Sequence, residues 1–197
     1  MPNYILHKPY GYISQFIRNQ STRKNKKLLG ELHDFAEGTM AIGRLDEASE
    51  GLLLLTTDGK ISEEVRSKSI EKEYYVEVDG IVDEIAIHRL KQGVEIGIKG
   101  KKYTTKKCQA SIIPNPNFPE RSVRVRNHRP TSWVSITISE GKFRQVRKMT
   151  AAVGFPTLRL VRIRIGRLKL EQLCPGKVIE VENRFDEVFS PAFGTIR

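Results

Sequence analysis

The most apolar run in the chain is Leu52-Leu53-Leu54-Leu55, bounded by Gly51 before it and by Asp58-Gly59 after it. A run of that length between breakers predicts a short strand buried on both faces. Residues 72–80 alternate instead, which predicts a half-buried strand. Tyr74, Val76 and Val78 share its apolar face, and Tyr75, Glu77 and Asp79 the other. Residues 132–139 alternate in the same way, with Trp133 read as a packing residue. Residues 158–166 alternate over their second half, with Arg162 and Arg164 opposite Val161, Ile163 and Ile165. Further strands are predicted at 4–7, 94–98, 103–113, 122–126 and 177–181.

Helical spacing is weaker and comes with caps. Residues 60–67 bury Ile61 and Val65 behind Thr57 or Asp58; residues 82–92 end at Gly93; residues 142–153 end at Gly154. A short helix is predicted at 28–35. On the 142–153 helix, Met149, Val153, Val146, Thr150 and Phe143 span one face. Arg144 and Lys148 fall opposite them, and Arg147 lies on the flank. Strands joined mostly by hairpin-like connections predict an α+β (mixed α/β) fold with a largely antiparallel sheet.

The pattern places one acid conspicuously. Asp46 ends Gly43-Arg44-Leu45-Asp46, a polar loop just ahead of the leucine strand. Local chemistry alone reads such an Asp as a turn former or helix cap.

Composition narrows the class. The 197 residues suit one domain or two small lobes, with 39% hydrophobic and 29% charged residues. No stretch approaches the roughly 18 apolar residues of a membrane span, and the first residues lack the apolar core of a signal peptide. Two cysteines 66 residues apart, Cys108 and Cys174, imply no disulfide framework and fit a reducing compartment.

Charge changes the picture more. Lys and Arg number 34 against 23 Asp and Glu, a net of +11. The excess is segregated. Residues 18–27 hold five cations and no acid, residues 99–130 hold nine cations and one acid, and residues 141–170 hold nine cations and no acid. Blocks of this kind favour a polyanion-binding protein, with nucleic acid the better reading, over a merely solvated basic face; the sign of the charge does not separate RNA from DNA or an anionic membrane surface. No groove-reading DNA module is recognisable.

Several chemistries have no signature. Four scattered histidines and the two distant cysteines give no metal-ligand spacing. No P-loop and no nucleophile elbow occurs. No cofactor and no metal is therefore expected. What remains is Asp46 near the core, Tyr74 on an apolar strand face, Arg147 on a helix flank, and basic surface. Such a set can act on a polynucleotide: a carboxylate as nucleophile or base, a cation to keep it ionised, and a planar group to pack against a base.

The motifs occur in a specific order. Lys8-Pro9-x-Gly11 is followed by Gly43-Arg44-Leu45-Asp46-x4-Gly51-Leu52-Leu53-Leu54-Leu55-Thr56-Thr57-Asp58-Gly59 and by Lys72-x-Tyr74. Then come Glu140-Gly141-Lys142-x-Arg144-Gln145-Val146-Arg147-Lys148-Met149 and Leu160-Val161-Arg162-x3-Gly166. This series resembles the RsuA-type family of RNA pseudouridine synthases over about residues 4–182. Pro130-Thr131-Ser132-Trp133 and residues 150–160 look most like members that modify large-subunit ribosomal RNA.

The resemblance implies a catalytic module with a central bent antiparallel sheet, flanking helices and a cleft between two lobes. It implies isomerisation of uridine to pseudouridine in ribosomal RNA, without a cofactor, by a cytoplasmic monomer acting on rRNA or a pre-ribosomal particle. Asp46 matches the essential aspartate, which would attack the sugar or the base, or remove a sugar proton. Arg147 matches the arginine that pairs with it, and Tyr74 the tyrosine that packs on the target base. Arg44 would hold the flipped nucleotide. Lys8, Arg144, Lys148, Arg162 and Arg164 are assigned to phosphates on charge. The alternative is a non-catalytic rRNA-binding or ribosome-assembly protein on the same fold.

The expected organisation is a catalytic domain over residues 1–182, made of two lobes, and a tail over 183–197 with little periodicity, expected to be partly disordered. Many relatives carry a preceding RNA-binding domain of the S4 type. The Lys8-Pro9 motif begins at residue 8, so none is expected, and RNA recognition would shift onto residues 18–27 and 99–130. His7 stands where relatives commonly have Asn, and little consequence is expected.

Overall fold

The computed structural model describes residues 1–17, 25–67, 70–121, 130–182 and 185. Their contacts divide the chain into two compact units: Met1–Lys72 with Arg162–Arg197, and Glu73–Val161. The boundaries fall inside two strands, Lys72–Asp79 and Thr157–Ile165.

The first unit is built on β1 (Asn3–Lys8). The small strands β2 (Tyr12–Ile13) and β3 (Lys27–Leu28) pair parallel with each other, and β4 (Met40–Ile42) leads toward the motif loop. The central strand is β5 (Glu50–Thr56), followed by helix α1 (Gly59–Ser67). All seven β5 residues are buried, as a leucine run between breakers predicts. β5 pairs antiparallel with β1 and β4, and the β1 register sets Lys8 opposite Gly51 and His7 opposite Leu52. Asp58 supplies the α1 cap: its Oδ1 accepts the backbone N–H groups of Lys60 at 2.8 Å and Ile61 at 3.4 Å. Ile61 and Val65 are buried.

The second unit holds most of β6 (Lys72–Asp79), α2 (Glu84–Gln92), the hairpin β7 (Glu95–Ile98) and β8 (Lys101–Thr104), β9 (Gln109–Ile113), β10 (Thr131–Ile138) and α3 (Gln145–Ala152). β6 keeps its alternation, with Tyr74, Val76 and Val78 buried and Tyr75, Glu77 and Asp79 half-buried. The Asp83 carboxylate accepts the Ala86 N–H at 2.7 Å and starts α2; Gly93 closes it at φ 98°. The chain leaves this unit along β11 (Thr157–Ile165), then forms β12 (Leu168–Lys169) and β13 (Val178–Val181) in the first. Strand order in the first unit is β13-β1-β5-β11, and in the second β11-β6-β10-β9.

This is the mixed α/β architecture expected, with local departures. The strand expected at 103–113 is two strands, because Thr105 turns back onto Val94, its N–H reaching the Val94 carbonyl and its Oγ1 accepting the Val94 N–H. The helix expected at 28–35 is one 3-10 turn, Leu29–Glu31. The third helix begins at Gln145, not 142. Trp133 is buried against Phe118, with ring centroids 5.7 Å apart. Cys108 and Cys174 are both free thiols. The strand expected at 122–126 and most of the basic segment 18–27 lie outside the described residues, as does the 183–197 tail except Phe185, which is buried.

Candidate active site

In the first unit, the loop between β4 and β5 carries Arg44 and Asp46. Arg44 is exposed and Asp46 half-buried. Leu45 between them is buried and anchors the loop. The Ser14 hydroxyl clamps Leu45 from both sides: it donates to the Leu45 carbonyl at 2.8 Å and accepts the Leu45 N–H at 3.0 Å. The Ser49 N–H donates to the Asp46 carbonyl at 3.0 Å, and the Gly11 N–H to the Glu47 carbonyl at 2.9 Å. Lys26 grips the Glu47 carboxylate at 2.5 and 2.7 Å. The Lys8-Pro9-Tyr10-Gly11 turn and the segment after it thus hold the Asp46 loop by its backbone. Nothing in the sequence marked Ser14 or Lys26 for this task; the pairings join residues more than 20 positions apart.

Behind the loop lies a buried charged cluster. Lys8 is fully buried, with its ammonium donating to the Pro9 carbonyl at 3.0 Å. Burial pushes its pKa down to about 7, Glu50, Asp46 and Glu47 acting against that and Arg162 with it. Glu50 is 2% exposed and Arg162 4%. Arg162 Nε donates to the Leu52 carbonyl at 2.7 Å. Lys72 is also pushed down, by burial and then by Arg162. Sequence reasoning overlooked Glu50, an acid at the mouth of an apolar run.

These positions revise part of the phosphate assignment. Lys8 and Arg162 lie in the interior, facing acids and backbone carbonyls, so no RNA phosphate reaches them as the protein stands. The alternation that set Arg162 on an outer face fails because both faces of β11 are covered there. Arg164 donates to the Gly166 carbonyl at 2.6 Å and pairs with Glu71 at 3.2 Å.

In the second unit, Tyr74 is 8% exposed on the apolar face of β6. Arg147 is half-buried on α3, whose inner face is Gln145, Val146, Met149 and Thr150. Arg144 is exposed just ahead of α3 and adopts a left-handed backbone, φ 52° and ψ 34°. That state costs a non-glycine residue about 1–2 kcal/mol. Lys148 is half-buried, its ammonium donating to the Gly97 carbonyl at 2.6 Å.

The turn into α3 is braced by Glu140. Its carboxylate accepts the Tyr103 hydroxyl, the Lys106 N–H at 2.9 Å and Gln145 Nε2 at 2.6 Å. Burial alone would raise the Glu140 carboxyl; these three hydrogen bonds and the Lys106 charge outweigh it and hold it below its ordinary value. The same bond, with burial, raises the Tyr103 phenol.

A sequence model of the RNA pseudouridylate synthase family matches residues 3–152. The ribosomal large subunit pseudouridine synthase E of Vibrio vulnificus is 42% identical over 182 residues, covering 90% of this chain and 74% of that protein. The synthase of the same name from Xanthomonas axonopodis pv. citri is 39% identical over 176 residues, covering 87% and 89%. A solved pseudouridylate synthase superposes with a TM-score of 0.72 at 26% identity, covering 92% of this chain and 70% of that one.

Proposed function

On the premise that the chain belongs to the RNA pseudouridylate synthase family, we propose that it converts a specific uridine of large-subunit ribosomal RNA to pseudouridine, as a cytoplasmic monomer. The two nucleosides are isomers. The bond from C1′ to N1 breaks, the uracil turns, and C1′ joins C5; the C5 proton leaves and N1 gains one. The reaction is redox-neutral.

We assign Asp46 as the essential carboxylate, attacking the sugar or base or removing a sugar proton. The observation that carries this reading is the way the Asp46 loop is held. Ser14, Gly11 and Lys26 fix its backbone and flank, and it feeds directly into a strand whose seven residues are all buried. Fixing a reacting group on a rigid element is what positional catalysis needs. Tyr74 is assigned to pack against the target base, and Arg147 to pair with the carboxylate. A uridine presented to them must leave its stack. Arg44, Arg144 and Lys148 are assigned to RNA. Lys8 and Arg162 are reassigned from phosphate contacts to the buried frame behind the Asp46 loop.

The test is to map pseudouridines in ribosomal RNA from cells with and without the gene, and to complement with wild type and Asp46→Asn. Wild type should restore a missing pseudouridine; the variant should bind rRNA and restore nothing. An unchanged map would leave the chain a non-catalytic rRNA binder, and full activity of Asp46→Asn would remove Asp46 from the chemistry.

A further inference from the structure

Phe143 does not face the interior. The helical period places it beside Val146 and Met149, but α3 starts at Gln145 and Phe143 stands 66% exposed, the most exposed Phe, Tyr or Trp side chain among the described residues. A phenyl ring left in water at that level forgoes the burial that usually justifies it. It is also not on a loose tip. The turn that carries it is tied down by Glu140, whose carboxylate accepts Gln145 Nε2, while Gln145 Oε1 accepts the Lys142 N–H at 2.9 Å.

The surroundings of the ring are cationic. The Lys148 ammonium lies 5.2 Å from the ring centroid. Lys142 and Arg144, its chain neighbours, are both exposed. Residues 141–170 contain no acid. A held, exposed aromatic ring flanked by Lys142, Arg144 and Lys148 matches what single-stranded RNA requires: a face for a base and cations for the phosphates beside it.

We propose that Phe143 is a stacking platform for an unpaired base of the RNA substrate, with Lys142, Arg144 and Lys148 taking the flanking phosphates. This rests on the reading of the chain as an RNA-modifying enzyme. It adds a contact that recognises unstacked RNA, because a base inside a duplex has no face to offer.

The test uses the full chain and two fluorescent probes, a single-stranded uridine-rich 12-mer RNA and a 12-base-pair RNA duplex, read by anisotropy at fixed salt. Phe143→Ala should weaken the single strand about 5- to 150-fold, the range for loss of one stacked base. Phe143→Leu, which keeps bulk but has no π-face, should weaken it similarly, and Phe143→Trp should bind as wild type or better. Duplex affinity should change less than about twofold, and the salt slope of wild type should persist because no charge is removed. Single-strand binding by Phe143→Ala or Phe143→Leu equal to wild type overturns the platform, as does equal loss on the duplex. If wild type itself binds no single-stranded RNA, the RNA reading falls and the platform with it; if wild type binds and Phe143→Ala matches it, only the platform falls.

Discussion

Gly51 and Arg162 meet backbone to backbone: a Cβ added to Gly51 would lie 2.3 Å from the Arg162 carbonyl oxygen and 2.6 Å from its nitrogen. Gly51 also holds φ at +103°, which L side chains rarely adopt. Two costs therefore act on Gly51→Ala, steric overlap and backbone strain, each of about 1–3 kcal/mol. Neither neighbour is a flexible side-chain end that could give way. The variant should lose about 3 kcal/mol or more, a fall in Tm of roughly 6–12 °C for a chain of this size. Thermal unfolding reads this directly, and a Tm within about 2 °C of wild type would contradict the close approach.

Lys8 gives a pH signature. Its pKa falls to about 7 in the fold, from an ordinary 10.5. The folded state thus holds fewer protons than the unfolded one between those values, so stability rises with pH across that window and is fully penalised below it. Lys8→Met removes the titration. The stability difference between wild type and Lys8→Met should shift in favour of wild type by about 1.4 kcal/mol per pH unit from pH 7 to 10, and level off below about pH 6. Urea unfolding at four pH values measures it; parallel curves would show that Lys8 titrates normally.

Much of the frame was readable because its causes are local. The leucine strand, the alternation of Tyr74, Val76 and Val78, and α2 between Asp83 and Gly93 follow from periodicity and breakers within ten residues. The misread features depend on side-chain partners and backbone turns that hydrophobic periodicity does not carry. Arg162 is polar in an alternating strand, yet it is 4% exposed and its Nε donates to the Leu52 carbonyl of β5. Phe143 continues a helical period that the backbone abandons, because Arg144 turns left-handed and Glu140 claims Gln145. The Asp46 loop was legible only through motif order, and its clamp, Ser14, not at all.

Tyr74 separates packing from chemistry. Its ring is 8% exposed on the buried face of β6, so Tyr74→Phe keeps the packing and removes only the hydroxyl. The variant should fold with a Tm within about 2 °C of wild type. If the hydroxyl moves a proton, turnover should fall about 10²-fold or more, the usual scale for one acid–base group. Single-turnover pseudouridine formation checks this, and an unchanged rate would restrict Tyr74 to packing against the base.

Ser14 tests whether the Asp46 loop must be held for catalysis. Its hydroxyl makes two hydrogen bonds to Leu45, one to each side of that residue's peptide backbone, next to Asp46 and 31 positions away in sequence. Ser14→Ala leaves the N–H and carbonyl of a buried residue without that partner, at a cost of about 1–3 kcal/mol in stability. The carboxylate itself is untouched, so RNA affinity should persist. A positioning role predicts that kcat falls, by about 10-fold or more for a displacement approaching 1 Å, while KM stays within about twofold. Ser14→Thr retains the hydroxyl and should recover most of the lost kcat. Loss of stability with kcat intact in Ser14→Ala would make the clamp purely structural, and the rigidity of the loop would then have to reside in Gly11, Lys26 and β5.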